Sequence, residues 1–295
     1  MKAFKQYLID LRYNEATITA YLNINKRFIK WVQSKRLKTH TLTYDDILLY
    51  VQSLQQKDYQ SASINNQLVG ICKYMNYLID RVERTDNPTD GIQIKGQVKK
   101  IKANLLSSDE LEDLYYSYSI QHKNPIVQAR RIQDKVMIGL LVCQGITAKE
   151  LYYMQTDHID LRTGKITIPA TTRSNTRTLV IKPWQMMDMI TYSNQSRKLL
   201  EPHTNPSHQE QLFYGSLNKI HNTIARITKR LKQYNQKVEN HTQIRASVIT
   251  LWLQQHNLRK TQYMAGHRHI SSTEKYLQTD IDNLHDMVNT LHPIQ

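Results

Sequence analysis

A single chain-breaking segment constrains the fold more than any other feature of this sequence. Residues 86–91 read Asp-Asn-Pro-Thr-Asp-Gly, an uninterrupted run of residue types that favour turns. A helix or strand rarely continues through such a run, because proline lacks an amide hydrogen and glycine readily leaves helical geometry. The segment therefore divides the 295 residues into two parts. At roughly 150 residues per domain, this length suits two domains.

Residues 1–92 predict a helical domain that binds DNA. Apolar side chains recur at helical spacing in four runs, at about residues 4–11, 14–34, 43–54 and 61–78. Four such helices with short links pack as a small bundle. Basic side chains gather near the end of the second run, and we expect Lys26 and Arg27 to contact phosphates. A solvated helix face is the plainer interpretation of the same residues.

A basic linker, residues 93–106, is predicted to follow the bundle. Its lysines are Lys95, Lys99, Lys100 and Lys102. The whole chain has 40 Lys and Arg against 25 Asp and Glu, which gives a formal net charge of +15. Such a surplus indicates a polyanionic partner, and double-stranded DNA is the first candidate. A basic linker between two basic domains suits a protein that wraps around a duplex.

Residues 107–295 predict a second domain that is mostly helical and contains a small antiparallel sheet. Ser107 and Glu110 match a capping box ahead of an apolar helical run. Residues 158–182 are rich in β-branched and apolar residues and contain turn signals at Gly164 and at Ser174-Asn175. Helices return from Pro183 onward. The predicted fold class is therefore mainly α, with an α+β second domain.

Several classes of protein are disfavoured. The longest apolar run is too short for a transmembrane helix, and the N-terminus lacks the pattern of a signal peptide. We expect a cytoplasmic protein whose two cysteines, Cys72 and Cys143, are buried free thiols. Glycine-rich nucleotide-binding loops, cysteine-based zinc sites and HExxH motifs are missing from the sequence, so we expect neither a metal nor a cofactor.

Three motifs in the second domain carry the chemistry. They are QGITAKEL at residues 144–151, TQIRAS at residues 242–247 and AGHRHISSTEKY at residues 265–276. In this order and spacing, the motifs resemble those of the tyrosine recombinase (phage integrase) family, which read TGLRxSEL, HxLRxxxxT and LGHxxxxTTxxY. The most specific match is Gly266-His267 with Tyr276 nine residues after the histidine.

The resemblance implies a SAM-like N-terminal domain and a catalytic domain that cuts and rejoins DNA without a cofactor. Tyr276 matches the nucleophile, which would form a 3′-phosphotyrosyl bond. Arg245 and His267 match groups that contact the scissile phosphate, since guanidinium and imidazole donors suit the charge of the transition state. Arg173 falls where the family has its catalytic lysine. Family members commonly act as homotetramers on DNA, and here residues 280–291 would be the exchanged C-terminal segment.

Two positions depart from the family pattern. Thr147 occupies the position of the first catalytic arginine, and Thr242 that of the histidine in HxLR, with His241 one residue too early. Losing an arginine contact to a phosphoryl group could cost about 10³–10⁵ in rate. Candidate replacement cations are Lys149, Arg177, Arg130 and Arg131, and Arg177 is also predicted to contact DNA. Glu150 matches the acidic residue that supports the family's site.

Two functions therefore stay open. The first is a site-specific recombinase or integrase that cuts and rejoins DNA through Tyr276. The alternative is a catalytically impaired recombinase-fold protein that binds DNA in a regulatory or accessory role. A conventional helix-turn-helix regulator would explain neither the predicted hairpin nor the Gly-His and Tyr series.

Overall fold

The computed structural model describes residues 1–96, 104–203 and 209–277. The chain forms two compact units, Met1–Lys99 and Lys100–Gln295. The division between them falls inside the stretch predicted as a linker. In the described ranges, no helix combines the length and the apolar character that crossing a membrane requires.

The first unit consists of four helices, in agreement with the prediction from apolar spacing. They are α1 (Lys2–Asp10), α2 (Glu15–Ser34), α3 (Tyr44–Gln55) and α4 (Ser61–Asp80). Side-chain caps set two of the helix starts: the Asn14 side chain accepts a hydrogen bond from the Thr17 amide, and Thr43 forms a capping box with Asp46. The apolar faces meet in a core that encloses Phe28, Ile47, Ile71 and Met75 completely.

The predicted linker is anchored at both of its ends. Asn65 exchanges two hydrogen bonds with the backbone of Ile94, at 2.8 and 2.9 Å, so residue 94 packs with the first unit. Leu106 is buried in the second unit, and its amide donates to Ser247 Oγ at 2.9 Å. Lys95 is exposed, as are Lys26 and Arg27 on α2. The other linker lysines lie outside the described residues: Lys99, Lys100 and Lys102.

The second unit is mostly helical, as predicted. Its helices are α5 (Ser108–Tyr116), α6 (Pro125–Gln144), α7 (Ala148–Tyr153), α8 (Pro183–Thr191), α9 (Arg197–Leu200), α10 (Leu217–Tyr234), α11 (His241–Gln255) and α12 (Leu258–Ala265), and residues 271–277 are also helical. Helix α6 packs against α5, α8 and α11, and this packing completely buries its residues Met137, Ile138 and Leu140. The predicted capping box of Ser107 and Glu110 starts α5.

A three-stranded antiparallel sheet interrupts the helices, as predicted. Strands β1 (Ile159–Asp160), β2 (Lys165–Ile168) and β3 (Arg177–Val180) lie in the order β1-β2-β3, with Ile168 paired to Arg177. Successive side chains of a strand point to opposite faces. Along β3, Arg177 and Leu179 are buried, whereas the two residues that alternate with them are exposed. The sheet therefore places the charged side chain of Arg177 in the interior of the second unit.

The two cysteines correct one detail of the sequence analysis. Cys72 and Cys143 are free thiols, but each is half-buried rather than fully buried. Burial raises the pKa of the Cys143 thiol to about 12, so this thiol stays protonated at neutral pH.

Candidate active site

A buried carboxylate joins two arginines inside the second unit. Glu150 Oε1 lies 2.6 Å from Arg177 Nη1, and Glu150 Oε2 lies 3.8 Å from Arg245 Nη1. The side chains of Glu150 and Arg177 are fully enclosed, and Arg245 keeps 12% of its side-chain surface exposed. Removing one partner of an enclosed ion pair would leave an unpaired charge in the interior. We call Glu150, Arg177 and Arg245 the arginine–glutamate cluster.

The start of helix α7 fixes the carboxylate of this cluster. Thr147 is the N-cap residue, and its hydroxyl accepts a hydrogen bond from the Glu150 amide at 3.3 Å. In return, the amide and the hydroxyl of Thr147 donate to Glu150 Oε2 at 2.8 and 2.9 Å. This reciprocal pattern is a capping box. Thr147 thus holds one carboxylate oxygen, and the other oxygen accepts from Arg177.

Backbone carbonyls orient the guanidinium of Arg245, which lies on α11. Its Nη1 donates to the carbonyl of Gly145, and its Nη2 donates to the carbonyl of Ala265 at 2.7 Å. Gly145 ends α6 in the left-handed conformation, with φ of 55°, and Ala265 is the last residue of α12. Burial lowers the pKa of Arg245 and the charge of Glu150 opposes this shift. The guanidinium stays charged at neutral pH.

The charges of the cluster keep Glu150 ionised. Burial alone would raise the pKa of Glu150. The hydrogen bond and the charge of Arg177, helped by the charge of Arg245, outweigh burial and hold the pKa at about 2. At neutral pH the cluster therefore contains two positive charges and one negative charge.

His267 and Tyr276 lie beside the cluster. The rings of His267 and Tyr276 stack with centroids 5.9 Å apart and an interplanar angle of 16°. His267 Nδ1 lies 2.9 Å from the hydroxyl of Thr273, which is fully buried. This contact occupies Nδ1 and leaves Nε2 for a substrate. Burial raises the pKa of the Tyr276 hydroxyl, and the charge of Arg245 opposes the shift.

The β2–β3 hairpin is joined to the segment that holds His267. The Asn175 amide donates to the carbonyl of Gly266 at 2.9 Å, and Ser174 forms a β-bridge with His267. Gly266 ends α12 in the left-handed conformation, with φ of 68°. A Cβ atom at this position would lie 2.4 Å from Arg177 Nη1, so only glycine leaves room for the guanidinium.

The structure brings three of the four predicted catalytic residues together. Tyr276, His267 and Arg245 surround one site. Arg173 lies exposed in the β2–β3 turn, where the amide of residue 173 donates to the hydroxyl of Thr171. Arg177, also predicted to contact DNA, is only 2% exposed and pairs with a buried carboxylate, so that contact stays a prediction.

Three of the four candidate replacement cations lie outside the arginine–glutamate cluster. Lys149 Nζ donates to Thr172 Oγ1 at 2.8 Å, Arg131 donates to the carbonyl of Gln121, and Arg130 is exposed on α6. Of the four candidates, Arg177 is the one that enters the cluster.

Thr242, which departs from the HxLR pattern, and its neighbour His241 lie at the start of α11. His241 is the first residue of this helix, and Thr242 is exposed. The pKa of His241 is lowered by burial and by the charge of His221.

Sequence reasoning named Arg177 as a possible replacement cation but missed its pairing with Glu150, and it also missed the contact from Thr273 to His267. The alternation along β3 contains a signal for the first, because it places Arg177 on the same face as Leu179. The contact between Thr273 and His267 depends on the turn of the chain after His267, which brings Thr273 back to the imidazole.

Two family models cover most of the chain. The model of the phage integrase family matches residues 104–282, and the model of the phage integrase N-terminal SAM-like domain matches residues 1–82. The chain belongs to the phage integrase family. The catalytic-domain match contains all of the arginine–glutamate cluster together with His267 and Tyr276.

The relatives of this phage integrase family chain are tyrosine recombinases. Tyrosine recombinase XerC of Roseiflexus castenholzii is 24% identical over 297 residues, which cover 97% of this chain and 90% of the relative. Among solved structures, the XerH site-specific recombinase bound to difH substrate has a TM-score of 0.65 at 18% identity and covers 89% of this chain and 77% of XerH. A lambda integrase dimer bound to a COC′ core site has a TM-score of 0.65 at 13% identity, with 95% and 76% covered.

This phage integrase site offers cations and proton donors. In the part of the chain that the structure describes, no group of three or more His, Cys, Asp or Glu side chains is arranged to hold a metal ion. The site itself offers the guanidinium groups, the imidazole and the phenol described above.

His267 should make the stability of this integrase-family chain depend on pH. Burial and the charges of Arg245 and Arg177 lower its pKa from 6.5 to about 4. Between these values the unfolded chain binds a proton that the folded chain does not, so stability present above pH 6.5 is lost as the pH falls towards 4. We expect a loss of about 2 kcal/mol, since solvent screens a ring that is only partly buried.

The measurement is the thermal midpoint of the DNA-free protein at several pH values in this window. His267→Asn should flatten the dependence, whereas His269→Asn, at an exposed position in the same segment, should keep the wild-type slope. Equal slopes in all three proteins would contradict this assignment.

Proposed function

We propose that this chain is a site-specific DNA recombinase that cuts and rejoins DNA through a 3′-phosphotyrosyl intermediate. The observation that carries the proposal is the convergence of Tyr276, His267 and Arg245 on one site in a member of the phage integrase family. The relatives named above are recombinases, and two of the similar structures contain DNA substrates.

The proposed reaction is a balanced exchange of phosphodiester bonds. The Tyr276 hydroxyl gives up its proton as its oxygen attacks the scissile phosphorus. The bond from phosphorus to the 5′ oxygen breaks, and that oxygen takes up a proton to become a 5′-hydroxyl. A 5′-hydroxyl from another strand later loses its proton as it attacks the phosphotyrosyl phosphorus, and the freed tyrosine oxygen takes up a proton. The covalent bond conserves the energy of the phosphodiester, so no external energy source is consumed.

Each side chain of the site has a role in this scheme. Arg245 offers guanidinium donors to the non-bridging oxygens, and its carbonyl contacts hold it in position. His267 is neutral at pH 7 because its pKa is about 4, and its Nε2 can donate to a phosphate oxygen. Arg173 lies exposed in the hairpin turn. Because a guanidinium is a poor proton donor, we propose that it binds phosphate rather than protonating the leaving group.

We propose that the duplex backbone lies along both domains, residues 1–92 and 107–295, and along the basic linker 93–106. Exposed Lys26, Arg27 and Lys95 support this path. We further propose a homotetramer on DNA. The segment 280–291, which would be exchanged between protomers, lies outside the described residues. Action on DNA also favours the cytoplasmic location expected from the sequence.

The alternative function is DNA binding without cleavage. It is motivated by Thr147 and Thr242, which stand where the family pattern has an arginine and a histidine. A protein of this kind would bind a duplex with sequence preference and never form a covalent bond to it. The intact convergence at Tyr276 favours the recombinase.

Trapping the covalent intermediate tests the proposal. The purified protein first selects its binding sequence from randomised duplexes. Duplexes nicked at successive positions across that sequence then allow a short 5′-hydroxyl fragment to diffuse away after cleavage. We expect a covalent protein–DNA adduct that resists denaturant, with the phosphate mapped to Tyr276 by mass spectrometry. Specific binding without an adduct at any nick position would support the alternative, and the absence of sequence-dependent binding would contradict both functions.

Salt dependence tests the phosphate contact proposed for α2. Each phosphate contact contributes about 0.9 to the slope of log affinity against log salt concentration. We expect Lys26→Ala to weaken duplex binding several-fold at low salt and to reduce this slope by about one contact. Lys57→Ala removes the same charge from another exposed position of the first unit and serves as the matched control. If both variants change the slope equally, Lys26 acts only through net charge.

A further inference from the structure

We propose that Arg177 supplies the guanidinium that is missing at Thr147 and contacts a non-bridging oxygen of the scissile phosphate. This inference rests on the proposed recombinase function and names a further catalytic residue for it. The phosphate-binding charge would then come from strand β3 instead of the start of helix α7.

Thr147 and Arg177 share one carboxylate, that of Glu150. Thr147 donates to Glu150 Oε2, and Arg177 Nη1 donates to Glu150 Oε1 at 2.6 Å. The two residues are therefore direct partners of the same buried group, from opposite oxygens. Arg177 thus places a guanidinium at the other oxygen of Glu150, next to Arg245, and this group can stand in for the arginine that position 147 lacks.

The arginine–glutamate cluster carries a surplus positive charge. Two guanidinium groups face one ionised carboxylate, and His267 adds no charge at pH 7 because its pKa is about 4. One positive charge is left without a counterion in a largely buried site. Buried charges are stable when they are paired, so this surplus matches an incoming anion. A DNA phosphodiester carries one negative charge and would balance the site.

Arg177 has two hydrogen-bond donors without a partner among the described residues. Its Nη1 is bonded to Glu150, but Nε and Nη2 are buried and have no hydrogen-bond partner in the described part of the chain. Buried polar atoms are nearly always hydrogen-bonded. Two unpaired donors on one edge of a planar guanidinium have the geometry that binds two phosphate oxygens at once.

Arg177 lies beside the groups proposed to react. The charge of Arg177 lowers the pKa of His267, and its guanidinium lies against Gly266, the residue before that histidine. Because the side chain is enclosed in the DNA-free chain, the contact requires the segment around Gly266 or the β2–β3 hairpin to shift when DNA binds. Arg173, in the exposed turn of the same hairpin, would approach the DNA at the same time.

The test compares Arg177→Gln with wild type in the rate of adduct formation on the nicked duplex, at saturating DNA. Arg177→Gln leaves Glu150 with Arg245 as its ionic partner, so the cluster stays balanced in charge. We expect the rate to fall at least about 1,000-fold, the lower end of the losses for arginines that stabilise a transferring phosphoryl group. Arg177→Lys retains a charge beside Glu150 and should also react slowly, since an ammonium group cannot bind two oxygens as a guanidinium does.

A second substrate separates catalysis from structural support. A neutral methylphosphonate at the scissile position lacks the charged oxygen that Arg177 would contact. We therefore expect Arg177→Gln to form its adduct at least about tenfold faster on this substrate than on the normal phosphate. Arg226→Gln is the matched control, because Arg226 binds the buried carboxylate of Asp134 at 2.7 and 2.8 Å. It should lose stability but gain nothing from methylphosphonate.

The outcomes are distinct. If wild type forms no adduct on the phosphate duplex, the proposed function fails. If wild type reacts and Arg177→Gln reacts within about threefold of it, Arg177 is not the replacement cation. If Arg177→Gln folds but reacts as slowly on methylphosphonate as on phosphate, the inference is overturned. If only Arg177→Lys folds, the inference is overturned when that variant retains the wild-type rate. A slow variant that methylphosphonate accelerates supports it.

Discussion

Replacing Tyr276 with phenylalanine should abolish the covalent protein–DNA adduct and leave the affinity for the duplex unchanged. The substitution removes one oxygen and keeps the ring that stacks on His267 at 5.9 Å. Because the missing oxygen is the proposed nucleophile, the expected loss is on the order of 10⁴-fold or more, below detection in a gel assay. Duplex affinity comes mainly from basic side chains elsewhere, so the binding isotherm should not move.

The control for this experiment is Tyr234→Phe. Tyr234 is the last residue of α10 and is 46% exposed, so it lacks the burial that shapes the site. This variant should form the adduct at the wild-type rate. An adduct that persists in Tyr276→Phe would mean that another residue attacks the phosphate, and peptide mapping would identify it.

Neutralising Glu150 should cost more stability than neutralising any exposed carboxylate of the second unit. Glu150→Gln keeps the shape of the side chain and the capping box at the start of α7, because glutamine can also occupy that position. It leaves two buried guanidinium groups without a counterion. Breaking a buried ion pair in this way costs about 3–5 kcal/mol. In a domain of this size, we expect the thermal midpoint to fall by roughly 6–20 °C.

Glu110→Gln is a closely matched control. Glu110 occupies the same position in the capping box of α5 and also pairs with a cation, Lys237, at 2.6 Å. The difference is exposure, since Lys237 keeps 54% of its side-chain surface and Glu110 keeps 24%. An exposed pair contributes about 0–1 kcal/mol. Calorimetry of the second unit's transition measures both variants, and equal shifts would refute the role assigned to the buried cluster.

The elements of the fold were predictable because local signals define them. Asn14, Thr43 and Ser107 each begin a helix with a side-chain cap, and residue types alone reveal such caps. Apolar spacing located the four-helix unit, and turn residues at Gly164 and Ser174 located the hairpin. The linker was less predictable at its ends, because the apolar residues Ile94 and Leu106 pack onto the units they adjoin.

The site was predictable where a motif holds its residues close in sequence, and unpredictable where residues distant in sequence meet. Gly266, His267 and Tyr276 lie within eleven positions of one another. The pairing of Arg177 with Glu150 joins residues 27 positions apart, and it depends on which face of β3 turns inward. Sequence reasoning therefore named Arg177 as one of four possible replacement cations without identifying Glu150 as its partner.

The register between β2 and β3 decides which side chains of β3 face the interior. Ile168 faces Arg177 across the sheet, and alternate residues of β3 point in opposite directions. A slip of one residue would turn Arg177 to solvent and bring Thr178 inward. The length of the turn between residues 168 and 177 thus determines whether the guanidinium of Arg177 faces the site. A one-residue insertion or deletion there would change the chemistry of the site while every named residue remained in the chain.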